Sequence, residues 1–199
     1  MTVQELNKEL GNIDIYLLDQ ILKNSITKAM KVLDAGCGEG RNLVYLLNNG
    51  YDVFGVDANA TAIKMLKMSA NAHEPERFVE TTIEEMMFPP NVFDYIISSA
   101  VLHFARDHDH FNAMIKAMVA VLKPKGTLFV RMTTGLGIDA LTPTDSGVYK
   151  LPDGSQRYLF DIDNLDAFLT EHHLSLIEPI KSVVVHQQRS MGMMLFRKK

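Results

Sequence analysis

Residues 32–42 read Val-Leu-Asp-Ala-Gly-Cys-Gly-Glu-Gly-Arg-Asn, and this stretch constrains the fold more than any other in the chain. An apolar run ends at Leu33, an acid follows, and glycines then fall at alternate positions, Gly36, Gly38 and Gly40. A buried strand that gives way to such a turn brings its backbone close to something, an approach that only residues without a Cβ permit. After Gly40, Asn42-Leu-Val-Tyr-Leu-Leu takes helical period. Strand, glycine turn and helix together offer backbone N–H groups to a ligand at a helix N-terminus.

The rest of the chain alternates in the same way. An apolar face of Ile13, Leu17, Leu18, Ile21 and Leu22 predicts a leading helix over 13–30. Strands are expected at 31–35, 53–56, 77–81, 93–99 and 127–132, with helices at about 61–72, along the Phe111–Leu122 stripe, and at 163–172. Lys123-Pro-Lys-Gly reads as a stop before the fifth strand, and 174–186 with 191–197 as a closing hairpin. Repeated strand–helix units specify a mostly parallel sheet with right-handed crossovers and helices on both faces. The hairpin makes the last of seven strands antiparallel. The chain reads as a single α/β domain over 1–199, with 1–30 as a helical cap.

Composition narrows the partners. The chain has 199 residues, 47% of them hydrophobic, and a net charge of −4. It carries no basic, aromatic-interleaved patch for nucleic acid, and no stretch approaching the ~20 apolar residues that span a bilayer. The single cysteine, Cys37, excludes an intramolecular disulfide and fits a reducing cytoplasm; the N-terminus has no apolar signal core. Between two turn glycines, Cys37 reads as a small buried residue rather than a nucleophile. No feature specifies an oligomeric state.

Two details of the glycine turn separate ligand classes. A dinucleotide fingerprint places its third glycine five positions after the first, whereas Gly40 follows Gly36 by four, and Asp34 stands just before the turn. Asp-x-Gly-x-Gly-x-Gly resembles the first motif of class I S-adenosylmethionine-dependent methyltransferases. Phe93-Asp-Tyr-Ile-Ile-Ser-Ser-Ala-Val-Leu-His-Phe is similar to their fourth-strand motif, and Leu122-Lys-Pro-Lys-Gly-Thr-Leu-Phe-Val to their turn and fifth strand. More narrowly, Gly38-Glu-Gly-Arg-Asn with Leu46-Leu-Asn-Asn-Gly-Tyr-Asp-Val resembles small bacterial methyltransferases of the tellurite-resistance type. The resemblance covers about 31–131 closely and the closing hairpin loosely. It implies a Rossmann-like sheet, S-adenosyl-L-methionine as cofactor, and binding residues Asp34, Ala35, Gly36, Cys37, Gly38, Arg41, Asp57, Ala58, Thr82, Ile83 and Ser99.

Asp57, at the tip of the second strand, is placed to accept both ribose hydroxyls of an adenosine. The alternative is that it caps the following helix, a role open equally to Asn59 and Thr61. Thr82 departs from the resemblance, since relatives commonly carry Asp there beside the adenine amino group. Its hydroxyl and the N–H of Ile83 are the remaining ways to read that ring.

The acceptor belongs over the C-terminal edge of the fourth and fifth strands, near Ser99, Ala100, His103 and Arg131. His103 is the candidate base, or else an aromatic filler. Arg131 either pairs with an acid or binds an anionic acceptor, because an uncompensated buried charge is costly. In Arg106-Asp-His-Asp-His110, Asp107 and Asp109 read as helix caps, so no metal site is expected. Met65/Met68 and Met114/Met118 read as core packing. Residues 133–158 lack periodicity and read as a long irregular lid, with Tyr149, Arg157 and Tyr158 lining an acceptor pocket. Such a lid, with no Asn/Asp-Pro-Pro-Tyr after the fourth strand, favours a small-molecule methyl acceptor. The competing readings are a non-catalytic cofactor-binding protein and a nicotinamide-dependent oxidoreductase, which the glycine spacing and the hairpin disfavour.

Overall fold

A computed structural model of the chain describes residues 2–69, 74–144 and 146–199. Its central strands are β1 (Lys31–Ala35), β2 (Asp52–Asp57), β3 (Phe78–Glu80), β4 (Phe93–Ser99) and β5 (Leu122–Thr133), and neighbours among them pair in parallel. Three short strands, β6 (Thr142–Pro143), β7 (Val148–Lys150) and β8 (Gln156–Tyr158), form a separate antiparallel meander. The chain closes with β9 (Leu174–Leu176), β10 (Lys181–Val185) and β11 (Arg189–Lys198). The main sheet runs β10-β11-β5-β4-β1-β2-β3, with β9 also pairing β11; β11 is antiparallel to β5, β9 and β10. This is the mostly parallel sheet with an antiparallel closing strand that the sequence leads one to expect.

The helices are α1 (Val3–Leu10), α2 (Ile15–Leu22), α3 (Val44–Asn48), α4 (Ala60–Ser69), α5 (His108–Val121) and α6 (Leu165–Glu171). They cover both faces. Leu17, Ile21, Leu46, Ile63 and Leu66 of α2, α3 and α4 pack with Val32, Val53 and Ile97. On the other face Met114, Ile115, Met118 and Val121 of α5 pack with Leu33, Ile96 and Leu128. Full burial of side chains of this size is worth roughly 1.5–3 kcal/mol each. α5 is capped by Asp107, whose carboxylate accepts the N–H of His110 at 2.7 Å.

Several local expectations need correction. The leading helix over 13–30 stops at Leu22, where Asn24 takes φ +59, and a separate helix α1 precedes it behind a Thr2/Glu5 capping box. Of the helix at 61–72, Ala70–Ala72 lie outside the described residues. The 174–186 strand is two strands, because Pro179 lacks the N–H a continuous ladder needs. Lys123–Gly126 is a bulge inside β5, with Lys125 at φ +65, rather than a stop before it. The 133–158 segment is not irregular, since it carries the meander. Met65 and Met68 are exposed, whereas Met114 and Met118 are core.

Asp14 ties the cap to the sheet. It is 4% exposed and accepts the N–H groups of Tyr16 and Leu17 as the N-cap of α2. Its other oxygen pairs with Arg131 Nη1 and accepts Ser99 Oγ at 3.4 Å, and its own N–H donates to Asn42 Oδ1 at 3.0 Å. Breaking a buried ion pair by removing one partner typically costs about 3–5 kcal/mol. Asp14→Ala should therefore lower urea-unfolding stability by about 3 kcal/mol; a loss under about 1 kcal/mol would mean that α2 docks without it.

Candidate active site

The glycine turn after β1 folds back onto β2. The N–H groups of Gly36 and Cys37 donate to Val56 O at 2.8 and 2.9 Å, and the Gly38 N–H donates to Asp57 Oδ2 at 2.8 Å. Gly36 and Gly40, at φ +89 and +84, have no room for a side chain: a Cβ would sit 2.3 Å from Val101 and from Leu66 respectively. A Cβ on Gly38 would meet nothing within 4 Å, because Gly38 faces an open cleft. Asn59 caps α4 by accepting the N–H groups of Thr61 and Ala62, so Asp57 is free of that duty. Its carboxylate holds the turn and the Asn59 N–H at 2.8 Å, and each oxygen keeps a lone pair for the cleft.

That cleft, about 950 Å³, lies over the C-terminal ends of β1, β2 and β4. Of the residues named from the sequence, Gly36, Cys37, Gly38, Arg41, Asp57, Ala58, Thr82, Ile83 and Ser99 line it. Asp34 and Ala35 do not; they are buried within β1. Thr82 Oγ1 is buried without a hydrogen-bond partner at the wall. Burial pushes the Cys37 thiol above its usual range, which keeps it protonated. The sequence reading did not place Asn12, Glu84, Phe104, Arg106 and His110 at this site, and they line the wall as well. His110 Nε2 lies 3.1 Å from Glu84 Oε1.

Asp34 is 1% exposed and neither carboxylate oxygen has a partner. Burial pushes its pKa up to about 7, opposed by the positive charge of Arg41 and assisted by Asp57. A buried acid with open acceptors suits a cationic group brought to the turn above it.

His103 and Arg131 stand apart from the cleft, in a second cavity of about 380 Å³. Arg41 and Ala100 line both cavities and form the boundary between them. Ala100 takes φ +63, a conformation costly for a residue with a Cβ, and its N–H donates to Arg131 O at 2.8 Å. Arg41 Nη2 donates to Ser99 Oγ at 3.2 Å. Arg131 is paired with Asp14 and lies 5.1 Å from the Tyr16 ring centre. His103 is buried on the short 3₁₀ turn Leu102–Phe104, with Nδ1 unpartnered; burial, and then Arg157, hold its pKa down to about 4. Arg157 lines this cavity, but Tyr149 and Tyr158 line a different one near α5, where the Tyr158 hydroxyl lies 2.7 Å from His108 Nδ1 and its ring stacks on Phe111.

The "Methyltransferase domain" family matches residues 33–130, the span that builds the turn, the cleft and β4–β5. A ubiquinone biosynthesis O-methyltransferase of Brucella ovis is 29% identical over 160 residues, covering 77% of this chain and 63% of the relative. The chain thus spans a little under two thirds of that relative's length. Among solved structures, an S-adenosylmethionine-dependent methyltransferase of Methanosarcina mazei superposes with a TM-score of 0.71 at 21% identity, covering 89% of this chain and 96% of that one. The 1,6-didemethyltoxoflavin-N1-methyltransferase of Burkholderia thailandensis, solved with bound 1,6-didemethyltoxoflavin and S-adenosylhomocysteine, gives 0.72 at 19%, covering 98% and 82%. Residues 33–130 thus match a methyltransferase domain, and the chain has the fold of these S-adenosylmethionine-dependent methyltransferases.

Among the described residues, no group of three or more His, Cys, Asp or Glu side chains is arranged to hold a metal ion. No helix among them is long and apolar enough to cross a membrane. The buried acid also has a consequence for stability. Because its folded pKa lies near 7 against an ordinary 3.8, the folded protein keeps a proton that the unfolded chain gives up. Stability contributed at this site should fall as pH rises from about 4 to 7 and stay low above that. Asp34→Asn should stabilise the ligand-free protein at pH 8 by about 1–3 kcal/mol and flatten that decline. Urea unfolding at pH 5 and 8 checks it; equal effects at both pH values would mean the carboxyl is solvated.

Proposed function

We propose that this chain binds S-adenosylmethionine in the larger cleft and transfers its methyl group to a small-molecule acceptor held in the second cavity. The observation that carries the reading is that the two cavities meet at Ala100 and Arg41, over the C-terminal tip of β4. Open α/β sheets bind ligands at that edge. In this reading Asp57 accepts the ribose hydroxyls, while Thr82 Oγ1 and the Ile83 N–H read the adenine edge. Gly38 lets the backbone approach the ligand, and Asp34 offsets its ammonium charge from beneath the turn.

When bound, the cofactor supplies an electrophilic methyl carbon on a sulfonium. The acceptor's lone pair forms the new bond while the carbon–sulfur pair returns to sulfur. The protein's part is chiefly to hold donor and acceptor in line, an orientation worth roughly 7–11 kcal/mol of barrier. The Brucella relative is named for O-methylation, and an oxygen acceptor is the reading we carry. His103 is neutral at pH 7 and in the form that takes a proton. Taking one from a phenol of pKa about 10 with a base near 4 is uphill by roughly 8 kcal/mol, so the acceptor's hydroxyl must be acidified by something other than His103. Residues around a buried free thiol in a chain with one cysteine fit a cytoplasmic setting.

A thermal-shift comparison of S-adenosylmethionine, S-adenosylhomocysteine and NAD tests the reading. At 100 times its dissociation constant a ligand adds about 2.7 kcal/mol, a shift of roughly 5–10 °C for a domain of this size. Stabilisation by the two S-adenosyl compounds alone is expected; a response to NAD alone contradicts it. Gly38→Val should abolish the shift while the variant still unfolds cooperatively, and an undiminished shift would remove the cofactor from this turn. The pH profile of methyl transfer should show no descending limb from His103 between pH 5 and 7, and a limb there that vanishes in His103→Asn would restore it as a conventional base.

A further inference from the structure

The second cavity carries charge that the methyl donor does not use. Arg41, Arg131, Arg157 and Arg189 line it, against two acids, Asp14 and Asp153, among its described residues. Four guanidiniums against two carboxylates leave an excess of two positive charges, in a chain whose net charge is −4. Both acids are engaged locally. Asp14 caps α2 and pairs with Arg131, and Asp153 accepts the N–H and hydroxyl of Ser155 at 2.9 and 2.6 Å.

The polar atoms left over point to a ligand. Arg131 Nε is buried without a partner, although Nη1 of the same group is held by Asp14. His103 is 6% exposed, lines the cavity, and keeps Nδ1 unpartnered. Buried donors and acceptors in folded proteins are nearly always satisfied, so such atoms on a cavity wall call for an occupant with matching groups. Arg157 lies 4.8 Å over the Phe104 ring, so its guanidinium is held at the rim between this cavity and the larger cleft. Planar guanidiniums are suited to carboxylate and phosphate oxygens, which they bind in pairs of hydrogen bonds. Beside Thr133 and Ser155, the wall has an apolar part made by Leu151, Val183, Val185 and Met191.

We propose that the methyl acceptor is a small organic anion, held in the second cavity by its carboxylate or phosphate on the arginine wall, with a short apolar body against Val183, Val185 and Met191. The proposal rests on the reading of the larger cleft as the donor site. In the transfer, the acceptor's hydroxyl oxygen bonds to the methyl carbon and the carbon–sulfur bond breaks with its electron pair on sulfur. The hydroxyl proton leaves to water or to His103 Nδ1. The arginines fix the far end of the acceptor and, by their charge, favour ionisation of its hydroxyl.

The test uses the full chain saturated with S-adenosylhomocysteine, whose own binding is read first by calorimetry. Benzoate, 4-hydroxybenzoate and phenyl phosphate are then titrated beside the uncharged benzamide. At least one anion should bind ten-fold or more tighter than benzamide, and Arg157→Gln and Arg189→Gln should each weaken it several-fold without changing S-adenosylhomocysteine affinity. A carboxylate preference over phenyl phosphate, or the reverse, identifies the anionic group. Equal binding of charged and neutral probes overturns the proposal. So does the absence of binding by every anion, or binding that both glutamine variants leave untouched. Failure of S-adenosylhomocysteine itself to bind overturns the donor-site reading and the proposal with it.

Discussion

The fold of the site depends on the fold-back of the glycine turn onto β2. Two consecutive N–H groups reach one carbonyl, Val56 O, and that of the next residue, Gly38, reaches the Asp57 carboxylate. Three residues near φ +50 to +90 are needed within five positions, and two of the three have no room for a Cβ. The partner strand is shaped to match: a Cβ on Gly55 would sit 2.8 Å from Cys37 Sγ. Cys37 is thus a small side chain filling the space between turn and strand. The same hydrogen bonds that close the turn fix Asp57 at the cleft wall, where the proposed ribose contact would use the carboxylate that also holds the turn.

A second set of contacts shapes the cavity proposed for the acceptor. Asp14 joins the cap helix α2 to Arg131 on β5 and Ser99 on β4, and Ser99 in turn receives Arg41. This network runs along the boundary between the two cavities. It gathers the side chains of Asp14, Arg41, Ser99 and Arg131 near Ala100, whose left-handed backbone turns the chain from β4 into the 3₁₀ segment bearing His103. The strain at Ala100 is over-determined by its N–H bond to Arg131 O and by the packing of Leu102 in the core.

The central sheet was legible in the sequence because its signals are local. Apolar runs of strand length, the glycine turn and the α5 stripe each report their own conformation, and β1 and β4 have the bounds the sequence suggests. The ligand-facing turn was legible for the same reason. What escaped was set by tertiary contacts. Asp14 falls inside the expected leading helix and gives no signal of its own until the fold brings Arg131, more than a hundred residues away, against it. Tyr158 looks like a pocket residue in a polar loop, yet Phe111 and His108 bury it. The meander in 133–158 consists of strands of two or three residues, too short to show alternation. Asp34 was singled out by its place before the turn, but only burial reveals that it lies under the cleft floor, unpartnered, rather than on the wall.

The account stands or falls on how the cleft and the arginine-lined cavity are joined. A crystal structure of the protein with S-adenosylhomocysteine measures that directly. The account predicts adenine against Thr82 and Ile83, ribose at Asp57, and the sulfur facing Ala100 and Arg41, open to the second cavity. A ligand bound outside the cleft, or one with its sulfur turned away from that boundary, would contradict it.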